Sequence, residues 1–112
     1  MNMTSRFLMA AVAIAVFGSA ATVAAADLAA GKAKATEICA ACHGADGNSA
    51  AADFPKLGGQ HPDYLAKALR DYKSGQRKNA IMAGFAQALS KQDIENLAAY
   101  YGSQPAVVSA KH

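Results

Sequence analysis

The 112 residues include no tryptophan, three prolines and only two cysteines. A cysteine count of two excludes a small scaffold held by several disulfides and leaves one pair of thiols to explain. Charge is sparse too: Asp, Glu, Lys and Arg make up 17% of the chain, no run of one sign occurs, and the formal net charge is +3. So mild a balance, without any nucleic-acid motif, excludes nucleic acid or an anionic membrane as the main partner. Apolar and polar residues nowhere alternate for long enough to indicate a sheet, and no internal repeat is visible. The expectation is an all-α domain.

One long apolar run exists, and it stands at the start. MNMTSRFLMAAVAIAVFGSAATVAAAD has a positive charge at Arg6, an apolar stretch from Phe7 to about Ala21, and Ala24, Ala25 and Ala26 before Asp27. This is the pattern of a secretory signal peptide, residues 1–26, cut near Ala26. Its apolar core is short and rich in small residues for a membrane span, so no span is expected in the mature form. Removing it takes away Arg6 and leaves about 86 residues with ten Lys and Arg against eight Asp and Glu. A core of that size is barely sufficient by itself, and a buried cofactor would add to it. Export implies the periplasm, where two thiols pair, bind something or react.

Within the mature chain, Leu28, Gly31, Ala35 and Ile38 recur at helical spacing and mark a first helix. GADGNSAAADFPKLGG, from Gly44 to Gly59, has four glycines and a proline without any period, so it reads as a long loop wrapped around something. A second helix runs from Pro62, apt for a first helical position, to Gly75, apt for the residue after a helix, with Leu65, Ala68, Leu69 and Tyr72 as its stripe. QRKNAIMAGFAQAL lacks a clean period and reads as a second loop. Ser90 and Asp93 then open a last helix of the capping-box kind, with Ile94, Leu97, Ala98 and Tyr101 facing inward. Three or four short helices and two long loops are expected, over 27–104. Residues 105–112 read as a flexible tail.

The chemistry is concentrated in residues 39–43, CAACH, which hold both cysteines and one of three histidines. A thioredoxin-like redox pair needs a strand-to-helix junction, and no strand is expected. Structural zinc needs two further ligands, and besides His43 only His61 and His112 remain. A disulfide between Cys39 and Cys42 would close a strained, short loop with little effect on the unfolded chain. Covalent haem attachment needs this spacing: each thiol adds to a vinyl group, and the next imidazole reaches the iron. Haem c, bound through Cys39 and Cys42 with His43 on iron, is therefore the expected cofactor.

A second axial ligand decides what such an iron does. Behind the signal segment the chain has one methionine, Met82, 39 residues after His43 and beyond the central apolar helix. Its soft, neutral sulfur favours ferrous iron, although a lone methionine also serves as packing. His61, placed to begin a helix, and His112, on the tail, are the competing donors.

CAACHGADGNS, FPKLGGQHPDYLAKALRDYKSGQRKNAIM and LSKQDIENLAAYY resemble, in that order, segments of a class I c-type cytochrome, and in detail one domain of the bacterial cytochrome c4 and c5 group. The resemblance covers nearly all of residues 27–104. It implies the small cytochrome c fold, thioether links at Cys39 and Cys42, and His43 and Met82 as axial ligands. It further implies that the Pro55 carbonyl accepts from the outer nitrogen of His43, although Pro55 also serves as a loop stiffener. Arg77 stands where the family often faces a haem propionate, a position equally compatible with a solvated side chain. Gly31 would pack against Leu97 and Tyr100. The cytochrome c4 branch carries two domains and two haems, whereas this sequence has one CxxCH, which marks a monohaem relative.

The resulting expectation is a periplasmic electron carrier and not an enzyme. Its donors and acceptors would be redox proteins such as respiratory-chain complexes or dehydrogenases. The alternatives are a ligand-binding or peroxidatic haem protein with Met82 unbound, and a subunit permanently docked to a dehydrogenase or reductase.

Overall fold

The computed structural model describes residues 11–18 and 25–107. Most of the expected signal segment, including Arg6, and most of the expected tail, including His112, lie outside the described residues. Among those described, all regular structure is helical.

Helix α1 (Leu28–Ile38) starts where the Asp27 carboxylate accepts from the Ala30 N–H at 3.0 Å, one of the donors that a helix start leaves free. A single turn, α2 (Ala40–His43), follows at once and carries AACH. Helix α3 (Pro62–Ser74) begins with Pro62 and ends at Gly75, which is left-handed with φ 84°, as those residue types suggest. Helix α5 (Lys91–Ser103) has the full capping box. The Ser90 hydroxyl accepts from the Asp93 N–H at 3.0 Å, and the Asp93 carboxylate accepts from the Ser90 N–H at 3.0 Å.

Helix α4 (Ala80–Gln87) corrects the expectation of a second loop. Its sequence, AIMAGFAQ, has no polar face to set a period: Ala86 is buried, Met82 is half-buried, and Ile81 and Phe85 are 63% and 44% exposed. Asn79 starts it by accepting from the Met82 N–H at 3.0 Å. Among the described residues the helices number five, one being a single turn, against the three or four expected.

The core lies where α1 and α3 pack on α5. Ala35, Leu65, Ala66, Ile94, Leu97, Ala98 and Tyr101 are all buried there. Gly31 lets α1 approach α5: a Cβ on it would lie 2.2 Å from the Asn96 carbonyl oxygen and 2.9 Å from Tyr100 Cβ. The expected contact with Tyr100 is present, and the backbone of Asn96 lies nearer still. Asn96, itself buried, also accepts from the Asp27 N–H at 2.8 Å and so ties the start of α1 to α5.

Candidate functional site

His43 sits in the one-turn helix α2 and is 7% exposed. Its Nδ1 lies 2.8 Å from the Pro55 carbonyl oxygen. A carbonyl only accepts, so Nδ1 carries the proton, and in the neutral imidazole Nε2 then keeps its lone pair for a metal. Phe54 meets the imidazole edge-on, with ring centroids 6.4 Å apart. The long loop thus fixes both the tautomer and the angle of the ring.

Cys39 closes α1 and Cys42 lies within α2; both are half-buried and reduced. Burial pushes the Cys39 thiol up to about 11, only partly offset by a hydrogen bond with Tyr101, and Cys42 adds to the rise. Burial likewise raises the Tyr101 hydroxyl above the usual tyrosine range, with Cys39 contributing. Among the described residues no group of three or more His, Cys, Asp or Glu gathers as a metal site.

All of these groups line one cavity of about 350 Å³. Cys39, Cys42 and His43 enter from the α1–α2 junction, Pro55 and Leu57 from the long loop, and Leu65, Leu69 and Tyr72 from α3. Met82 enters from α4, and Leu97 and Tyr101 from α5. Arg77 lines it as well; its Nη1 donates to the Tyr64 hydroxyl at 3.4 Å and its guanidinium lies 4.8 Å from the centroid of the Tyr72 ring. Cys39, Cys42, His43, Pro55, Arg77 and Met82 are thus brought together. His61 is left out: it is exposed, precedes α3, and makes no side-chain cap to it.

Asn79 and Tyr64 were absent from the sequence reading, and Tyr72 figured there only as part of the α3 stripe. Asn79, which caps α4 through the Met82 N–H, was open to discovery as an Asn three residues before the methionine, once a helix there was suspected. Tyr64 and Tyr72, which hold Arg77, carried no signal beyond their place on α3.

The cavity is mostly apolar, as a porphyrin ring requires, and offers two thiols at CxxCH spacing, a neutral imidazole nitrogen, a thioether and an arginine. The donor set suits haem: the thiols for vinyl addition, neutral nitrogen and sulfur for iron, the guanidinium for a carboxylate. An all-helical domain with such a site is a c-type haem protein. The chain belongs to the cytochrome c family, whose model, Cytochrome c, matches residues 28–104. The family's haem is covalent, and in this chain Cys39 and Cys42 are the attachment pair of CxxCH.

The chain is similar to cytochrome c4 of Pseudomonas aeruginosa, 54% identical over 81 residues, which cover 72% of this chain and 40% of that protein. It is also similar to cytochrome c-554(548) of Halomonas halodenitrificans, 47% identical over 81 residues, covering 70% of this chain and 96% of that one. The crystal structure of reduced recombinant cytochrome c4 from Pseudomonas stutzeri superposes with a TM-score of 0.70 at 46% identity, over 75% of this chain and 48% of that chain. The chain therefore spans about half the length, or less, of the cytochrome c4 relatives it matches.

Proposed function

We propose that the protein is a periplasmic one-electron carrier in which His43 and Met82 are the axial ligands of the haem iron. The observation that carries this reading is the pairing of His43, its Nδ1 committed to Pro55 and its Nε2 free, with Met82 in the same cavity. When bound, the haem supplies the iron that accepts and releases the electron. His43 would bind the iron through Nε2, with the Pro55 carbonyl fixing the ring angle and raising its basicity. Met82, held at the first turn of α4 by the Asn79 cap, presents a neutral sulfur that favours the ferrous state. Arg77, oriented by Tyr64 and Tyr72, is placed to meet a propionate.

Two ligands that stay bound in both redox states keep reorganisation small, which suits a carrier better than a catalyst. The signal-peptide pattern ahead of Asp27 supports export, and no helix among the described residues is long and apolar enough to cross a membrane. Donor and acceptor are redox proteins. A relative from Thiomonas intermedia, 47% identical over 64 residues, bears the name thiosulfate dehydrogenase electron acceptor. Optical spectra in both redox states, with and without carbon monoxide, test the reading. A six-coordinate haem that resists carbon monoxide at neutral pH supports it, and ready carbon monoxide binding with no sulfur-to-iron charge-transfer band overturns it.

A further inference from the structure

The first residues of the expected tail are engaged, and the long loop receives them. Asn48 accepts from the Val107 N–H at 3.0 Å through Oδ1 and donates to the Pro105 carbonyl through Nδ2 at 2.8 Å. One amide side chain thus meets both a donor and an acceptor of the backbone, as a neighbouring strand would. Lys56 Nζ donates to the Val107 carbonyl at 3.1 Å.

The same place is the neck of the loop. The Gly47 carbonyl accepts from the Leu57 N–H at 2.7 Å and the Gly58 N–H at 3.0 Å, which closes residues 48–56, Pro55 among them, into a ring. Space around the neck is filled by the strap. A Cβ on Gly58 would lie 2.7 Å from Asn48 Nδ2 and 2.9 Å from the Pro105 oxygen, and one on Gly59 would lie 2.6 Å from Ala106 Cβ. Asn48 itself is oriented by Asp46, whose carboxylate accepts from the Asn48 N–H at 2.9 Å and is held below the usual carboxylate range by that bond.

We propose that residues 105–107, gripped by Asn48, are a strap that locks the neck of the Pro55 loop, and that Asn48 is thereby a positioning residue for His43. The inference rests on the reading of His43 as an iron ligand. Without the strap the neck keeps the Gly47 carbonyl and the bond from the Gly59 N–H to the Tyr101 carbonyl at 3.0 Å, but the loop opens more often, and the Pro55 oxygen leaves His43 Nδ1 for part of the time. An imidazole that loses this acceptor is a weaker donor, so ferric iron is less stabilised and the potential rises.

The test uses the haem-loaded full chain, Asn48→Ala, a chain ending at Gln104, the combination of the two, and a control ending at Val107. Amide exchange at Leu57 and Gly58 and exchange of the His43 Nδ1 proton are followed by NMR, and the potential by titration. Asn48→Ala removes both hydrogen bonds to the strap and should speed exchange at all three sites by about tenfold. The potential should rise. Ending at Gln104, which also removes the Lys56 bond to Val107 and the Ala106 packing on Gly59, should do at least as much, adding Asn48→Ala to it should change nothing further because the partners of Asn48 are already gone, and the Val107 control should match the parent. Unchanged exchange and potential in folded Asn48→Ala, or additive effects in the combination, overturn the strap. A parent whose spectrum shows no His/Met haem overturns the ligand reading instead, whatever the exchange rates show.

Discussion

At the scale of single residues, Gly31 and His43 show how far side-chain identity determines the arrangement. The place of Gly31 follows from the close crossing of α1 and α5, which leaves no room for a Cβ beside the Asn96 carbonyl. Gly31→Ala should lower stability by roughly 1–3 kcal/mol, the usual range for overpacking, despite the better helix propensity of alanine. Thermal unfolding of the haem-loaded protein measures it, and an unchanged midpoint would mean that the crossing yields without cost. That a glycine inside a helix marks a close approach was legible from the sequence; that the near neighbour is the backbone of Asn96 was not, because one residue of helix rotation separates it from Leu97. For His43, CxxCH announced the imidazole and its purpose. The Pro55 contact spans twelve residues of loop without any period. Composition gives no register for such a loop, so only family resemblance pointed to it.

At the scale of elements, helix starts carry much of the local order, and two of them are testable. Asn79→Ala removes the cap on the Met82 N–H and should cost about 1 kcal/mol. Because the lesion sits at the first turn of α4, carbon monoxide should enter the ferrous variant faster than the parent, which stopped-flow mixing reads. Equal rates would mean that the cap does not hold the methionine. In α5 the Ser90 N–H, foremost, holds the Asp93 carboxyl below the usual carboxylate range. A depressed folded value makes this contribution fully present above the unfolded carboxylate value, near 4, and loses it as pH falls through the lower folded value. The stability gap between parent and Asp93→Asn should accordingly be open at pH 7 and close on acidification; a gap that widened in acid would contradict the capping role. The α5 cap was readable from Ser90 and Asp93 alone. Helix α4 was not, since a helix apolar all round has no polar stripe to reveal its period.

At the scale of the whole molecule, a chain whose core is small for its task takes a cofactor as part of that core, and every element contributes to the cavity that receives it. The all-α class and the covalent cofactor followed from what the sequence lacks and from five residues of motif. The engagement of residues 105–107 did not, since it depends on Asn48, far away along the chain. If export follows the signal pattern, the intact mass of the secreted protein should equal residues 27–112 plus one haem; a mass retaining residues 1–26 would make it an anchored protein. The measurement that decides most is the optical spectrum of the ferric protein beside that of Met82→Ala. The parent should show the weak sulfur-to-iron charge-transfer band and ignore carbon monoxide when reduced at neutral pH. The variant should keep its haem through acid-acetone extraction, lose the band, bind carbon monoxide and fall in potential. A parent that lacks the band and takes up carbon monoxide readily would reduce Met82 to packing and replace the electron carrier with an open-site haem protein.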